Sequence, residues 1–157
     1  MNSKKGIFFI GAVLLIPVLL CACKARVELP RWSFGVEGAQ IQVFSSFDYA
    51  KLDEANITVE RPQADGSIAT EELRGVYLKD VLDYLDVSEY SSITLTSRNG
   101  STALYLPEII EDPDTLLVFE VNGRTQWENG VEIVQVVAGG RSEDMWLWNI
   151  KTLTVNP

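Results

Sequence analysis

The chain has 157 residues, with 22 acidic side chains against 13 basic ones, no histidine and a formal net charge of −9. That balance disfavours nucleic acid and anionic lipid as partners, because neutralising phosphates needs Lys and Arg. The missing imidazole excludes histidine zinc sites, Ser-His and Cys-His catalysis, and the usual neutral-pH proton shuttle.

Met1 to Gly6 carries Lys4 and Lys5, and Ile7 to Leu20 is an uncharged apolar run. The run is too short for a comfortable bilayer span but suits a signal-peptide core. It closes on Leu20-Cys21-Ala22-Cys23, which resembles the bacterial lipoprotein cleavage box. The resemblance implies cleavage after Ala22, lipidation of Cys23 and a stable anchor of several acyl chains on the extracytoplasmic face of a cell membrane. An ordinary signal peptide, or an uncleaved anchor helix, is the alternative. On the lipoprotein reading, residues 1–22 are the signal peptide, 23–31 a tether and 32–157 a single globular domain. The roughly 135 residues that remain are enough for one hydrophobic core, and without Lys4 and Lys5 the net charge is about −11. Both cysteines of the sequence, Cys21 and Cys23, fall in this segment. The domain therefore has no thiol for an internal disulfide, a nucleophile or a sulfur metal site.

Trp32 to Gly38 and Ile41 to Phe44 alternate apolar and polar residues, as a first strand or hairpin would. Ser45 or Ser46 then caps a short helix, with Asp48 three residues after Ser45 as in a capping box, and Phe47, Ala50 and Leu52 available for packing. Ile57 to Val59 is strand-like, and Arg61 to Gly66 reads as a turn or loop. Leu78, Val81, Leu82 and Leu85 form the stripe of an amphipathic helix, with Lys79, Asp80, Asp83 and Asp86 turned outward. Asn99-Gly100 between two apolar-polar alternations predicts a β-hairpin with a two-residue loop. That register sets Leu95 against Leu104, Ile93 against Leu106 and Thr94 against Tyr105. Leu106 to Ile110 reads as one helical turn with Pro107 at its first position. Thr115 to Val121 is a strand, turned by Asn122-Gly123 into Arg124 to Trp127. Val131 to Val137 reads as a strand buried on both faces. Trp146, Trp148 and Ile150 share one face of a closing strand whose apolar phase slips before Leu153, which predicts a bulge. Strands outnumber helices without a βαβ rhythm, giving an α+β, β-rich domain with a mixed sheet and a few short helices.

The candidate sites each have a plain structural reading beside the functional one. Trp127, Trp146 and Trp148, with Tyr105 and Phe119, would line a ligand cleft and stack on a ring or sugar; aromatics at strand spacing more commonly fill a core. Arg98 beside the hairpin turn and Arg141 after Gly139-Gly140 are loop cations suited to an anion, though exposed arginines are common. Glu108, Glu111, Asp112 and Asp114 offer oxygen ligands to calcium, but the spacing is not that of an EF-hand, and an acidic turn containing Pro is ordinarily just solvated. Asp80, Asp83 and Asp86 are accounted for by an outward helix face. Gly139-Gly140-Arg141 is not a phosphate loop, since no helix with a Lys follows.

The order of elements resembles the sulfite-oxidase-type molybdopterin-binding domain of oxidoreductases. Arg74 to Leu82 is similar to that family's "W-x-G-V-x-L-x-D-V-L" segment, and Ser97 to Gly100 to its Ser-x-Asp-Gly turn. Thr115 to Gly123 resembles its "L-L-A-x-x-x-N-G" hairpin, Gly130 to Gly139 its "G-x-P-L-R-L-V-V-P-G" strand, and Trp146 to Val155 its "K-W-V-K-x-I" strand. Gly38 and the helix after it match the family's opening, so the resemblance runs from about Trp32 to Val155. It implies a molybdenum pterin cofactor held by one cysteine and by basic residues on the pterin phosphate. Carried over, the cysteine belongs near Ile57 to Arg61, where Glu60 or a neighbour stands. The arginine falls at Val134, the two prolines at Glu132 and Ala138, and the two lysines at Met145 and Trp148. Burying an anionic pterin in so acidic a domain without those groups is costly. The expectation is therefore no bound cofactor, no metal and no catalytic residue. What remains is a membrane-tethered, non-catalytic module for an unknown small molecule or envelope protein. The alternatives are an accessory subunit of a molybdopterin oxidoreductase, or a degenerate one, and a structural envelope lipoprotein.

Overall fold

In the computed structural model, residues 31–62 and 65–157 are described. The expected signal peptide, the lipidated Cys23 and all of the tether but Arg31 lie outside them. Strand β1 (Ser33–Glu37) buries Phe34 and Val36, and β2 (Val43–Ser45) returns antiparallel with Phe44 opposite Phe34. Helix α1 (Ser46–Tyr49) follows at once. The Asp48 carboxylate accepts the Ser45 backbone N–H at 3.0 Å and the Ser45 hydroxyl at 2.7 Å, which holds the first turn. Phe47, expected to pack, points outward instead, and Tyr49 takes the buried position.

Strands β3 (Ala55–Pro62) and β4 (Ile68–Tyr77) pair antiparallel along the whole of β3. This replaces the expected loop over 61–66 with a longer hairpin. Periodicity conceals β4 because its first half, Ile68 to Glu72, has no buried side chain. Helix α2 (Leu78–Tyr84) leaves β4 directly and buries the predicted stripe of Leu78, Val81 and Leu82, with Leu85 at its C-cap. Beyond it Asp86 takes φ 58° while the Val87 N–H reaches the Leu82 carbonyl and the Asp86 N–H the Asp83 carbonyl. This double closure is a Schellman ending.

Strands β5 (Ser92–Ser97) and β6 (Thr102–Tyr105) form the expected hairpin in a different register. Ile93 stands opposite Tyr105, Thr94 opposite Leu104 and Leu95 opposite Ala103. The loop contains three residues, Arg98 to Gly100, closed by the Ser97 N–H on the Ser101 carbonyl at 2.8 Å, and only Gly100 takes a positive φ. One extra loop residue turns every β6 side chain over. Tyr105 is therefore fully buried, donating its hydroxyl to the Met145 carbonyl, while Leu104 is 51 % exposed.

Helix α3 (Pro107–Ile110) begins with Pro107 as predicted. Strands β7 (Thr115–Val121) and β8 (Arg124–Glu128) join through Asn122-Gly123, and β8 joins β9 (Val131–Ile133) through Asn129-Gly130. In both turns the Asn and the Gly take positive φ, as a two-residue hairpin loop requires. The single strand expected over 131–137 breaks at Val134. Its first part runs from exposed Val131 to buried Ile133, and only β10 (Gln135–Ala138) is buried throughout. A 3₁₀ turn (Glu143–Met145) leads to β11 (Ile150–Asn156). The expected bulge is present, as a register shift between Ile150 and Thr152 against β5. The expected shared face of Trp146, Trp148 and Ile150 is not: Asn149, at φ 54°, interrupts the strand, and Leu147 is buried where Trp148 is exposed.

Two sheets result. One runs β2-β1-β11-β5-β6 and is mixed, since only β1 and β11 are parallel. The other runs β3-β4-β7, with β8-β9 and β10 sharing the far edge of β7. The main core draws on both sheets and α2, and a smaller cluster of Leu73, Leu116, Val118 and Val137 covers the other face of the second sheet. Strands β7 and β10 are thus buried on both faces.

Candidate functional site

At one end of the molecule the start of β1, the β2-α1 junction, the β5-β6 loop, β9 and the start of β11 converge around a cleft of about 510 Å³. That volume is of the size that holds a drug-like molecule. Apolar lining comes from Trp32, Phe47, Val131, Ile133, Val134 and Ile150, and polar lining from Arg31, Arg98, Glu132, Asn149 and the serines 33, 45 and 46.

Backbone hydrogen bonds hold the walls together. The Ser46 N–H reaches the Trp32 carbonyl at 3.1 Å, and the Ile150 N–H the Val134 carbonyl at 3.1 Å. Across the β5-β6 loop the Arg98 N–H donates to the Asn149 carbonyl at 3.0 Å, and Ser97 donates its hydroxyl to the Trp148 and Asn149 carbonyls. Asn149 spends its own side chain on Glu128 of β8. The Arg98 guanidinium spans to the Ser33 carbonyl at 3.4 Å, and Glu132 accepts the Arg31 backbone N–H at 2.6 Å. Trp32 stacks parallel to Phe34 and meets Tyr49 edge-on at 5.6 Å, so the back wall is aromatic.

Beside the cleft, α1 carries a network centred on Asp48. Tyr84 donates its hydroxyl to Asp48 Oδ1 at 2.8 Å, and Lys51 reaches the same oxygen at 3.0 Å. Burial alone would raise the Asp48 pKa. The bonds from Ser45, Tyr84 and Lys51 outweigh it and bring the carboxyl down to about 2.

Of the residues singled out by sequence, Arg98 lines the cleft. Trp127, Trp146, Trp148 and Arg141 are not among its lining residues. Trp127 stands on β8, 59 % exposed, with its indole N–H on Thr125 Oγ1 at 3.0 Å. Trp146 lies behind the second sheet, its indole N–H on the Ala138 carbonyl at 3.0 Å and the Arg61 guanidinium 5.5 Å from its ring. Trp148 is an exposed aromatic between Leu147 and Asn149. Arg141 approaches Asp112 at 3.9 Å. Tyr105 and Phe119 are core residues. Asp112 closes its own turn by accepting the Asp114 N–H at 2.9 Å. Among the described residues no three His, Cys, Asp or Glu gather as a metal ligand set. Sequence reading passed over Trp32, Phe47, Val131 and Ile133 as a site because they come from separate elements. Only the crossing of β1, α1 and β9 joins them.

The positions to which the resemblance would assign the contacts of a molybdenum pterin do not fit that group. Glu60 on β3 is an exposed carboxylate, not a thiolate. Val134 is buried and aliphatic, Met145 packs against the main core, and Trp148 carries no charge. None of these three supplies a cation to a phosphate; the cations of the cleft that Val134 lines are Arg31 and Arg98.

No protein-family model matches the chain, and no curated protein sequence does. Among solved structures the chain is similar to the sulfane dehydrogenase SoxCD from Paracoccus pantotrophus, at 17 % identity and a TM-score of 0.67 over 80 % of this chain. The match spans 38 % of that protein's chain. The likeness is one of fold alone: a β-rich, mixed-sheet architecture of the sulfite-oxidase type.

Proposed function

We propose that this chain is a bacterial lipoprotein, anchored through Cys23 at the extracytoplasmic face of a membrane. Its one domain keeps the shape of the oxidoreductase molybdopterin-binding domain and serves as a non-catalytic binding module. The observation that carries this reading is the substitution of the expected cofactor contacts. Where a thiolate and cations would stand there are Glu60, Val134, Met145 and Trp148, yet a walled cleft of about 510 Å³ persists beside Val134. A scaffold with a cleft, whose described residues include neither cysteine nor histidine, suits recognition better than electron transfer.

Two measurements on the full chain, purified from the membranes of its own host, test the proposal. Molybdenum analysis and the fluorescence of oxidised pterin should both read at background, while stoichiometric metal or pterin would overturn the non-catalytic reading. The Cys23→Ser chain should leave the membrane fraction and lose incorporation of labelled palmitate. Full retention of both would sink the anchor.

A further inference from the structure

We infer that the cleft takes a small amphiphilic organic anion: an apolar body of about one ring system bearing a phosphate or carboxylate head. The inference rests on the ligand-binding reading above and assigns that site its ligand chemistry. Its first support is the distribution of cations. Among the described residues Lys51, Arg61, Arg74, Lys79 and Arg141 each lie within 4.0 Å of a carboxylate. Arg31, Arg98, Arg124 and Lys151 have no ion-pair partner, and the first two line the same cleft. In a chain of net charge −9, carboxylates are plentiful, and most cations have found one. Two guanidiniums without an ion pair, against the single Glu132 carboxylate, leave one net positive charge at this concavity of an acidic protein. The same cleft is lined by one carboxylate, Glu132, whose Oε2 accepts the Arg31 backbone N–H at 2.6 Å. Guanidinium forks match the planar or tetrahedral oxygens of carboxylate and phosphate, and such bonds are about twice as strong as neutral ones.

The second support is independent of charge. Phe47 is 69 % exposed and Val131 54 % exposed, and both line this cleft. Behind them lie Trp32, Ile133, Val134 and Ile150. An inorganic anion would leave this apolar wall against water. A neutral apolar molecule would leave both guanidiniums without a counter-charge. A molecule with both parts satisfies the whole lining. The tether bears on its source. Eight residue steps lead from Cys23 to Arg31, so the cleft lies within about 28 Å of a lipid anchor there. A lipid headgroup and a free organic phosphate are both within reach.

The test uses the full chain reconstituted in phosphatidylcholine vesicles, with protein-free vesicles as background, and equilibrium dialysis of 1-naphthyl phosphate. Saturable binding is expected, weakened roughly tenfold or more by Arg31→Gln or Arg98→Gln, as for the loss of one charge-assisted bond. Arg124→Gln should leave it unchanged, and raising the salt should weaken it. Because both cleft arginines are exposed, thermal melts of the variants should match the wild type. Phe47→Ser should weaken 1-naphthyl phosphate while leaving the arginine effects in place. Displacement by vesicles containing phosphatidic acid would identify a lipid headgroup as the source, and persistence of binding a soluble one. Absence of saturable binding would overturn the proposal, as would unchanged binding in both glutamine variants. Equal binding of the neutral 1-naphthalenemethanol would overturn the anion assignment while leaving the binding-module reading intact.

Discussion

Gly75 on β4 lies so close to Leu117 on β7 that a β-carbon there would stand 2.3 Å from the Leu117 carbonyl oxygen. The contact sits at the register shift between Arg74 and Gly75, where β4 turns from the smaller cluster towards the main core. Backbone on both sides leaves nothing flexible to yield. Gly75→Ala should therefore cost about 3 kcal/mol or more, beyond ordinary overpacking. Gly66→Ala meets nothing within 4 Å but carries φ +84°, and should cost about 1 kcal/mol. Urea denaturation of the two variants should show this ordering, and equal midpoints would contradict the close approach.

The register of the β5-β6 hairpin gives a second prediction. Tyr105 is wholly buried with its hydroxyl on the Met145 carbonyl, whereas its neighbour Leu104 faces solvent. Tyr105→Phe should cost roughly 1–2 kcal/mol by removing a buried hydrogen bond. Leu104→Thr should stay within about 0.5 kcal/mol of wild type. A two-residue loop would instead set Leu104 against Leu95, so a large loss at Leu104 would refute the observed pairing.

Asp48 should make stability depend on pH in the acid range. Its carboxyl is held at about 2 against the ordinary 3.8, so the folded state favours the ionised form. The contribution is present in full above pH 3.8 and is lost as the pH falls towards about 2. Asp48→Asn should then cost about 1–2 kcal/mol at neutral pH, given 1.4 kcal/mol per pKa unit and partial exposure. The gap between variant and wild type should close between pH 4 and pH 2 in parallel urea titrations. A gap independent of pH would assign the loss to packing.

Asp86 ends α2 in the left-handed region at φ 58°, a conformation that glycine adopts without strain. Its backbone already makes the Schellman bond to Asp83. Asp86→Gly should therefore stabilise the fold by about 0.5–1 kcal/mol and raise the Tm by a few degrees in calorimetry. A fall in Tm would show that the Asp86 side chain contributes something the backbone geometry does not reveal.

Local signals that needed no partner were legible in the sequence. The α2 stripe, the Ser45–Asp48 cap, Pro107 at the start of α3, the Asn122-Gly123 turn and the bulge in β11 all follow from neighbours a few residues apart. The order of those elements was enough for the fold class. The hairpin register was not legible, because Asn-Gly serves loops of two and of three residues. The choice between them fell to Tyr105, whose ring fills the core and whose hydroxyl finds the Met145 carbonyl 40 residues away. Strand β4 was hidden because its charged first half borrows order from β3 and offers no alternation of its own.

The sequence by itself determined what chemistry this domain lacks: without a histidine or a thiol beyond Cys23, no fold could assemble those ligands. Only the tertiary structure decided which side chains share a cleft. It brought Arg31, Phe47, Arg98 and Val131 from four separate segments to one cleft, and left Trp127, Trp146 and Trp148 apart. The reason is physical. Composition limits the groups available, but proximity between distant segments is set by how sheets pair and pack, which no short-range pattern encodes.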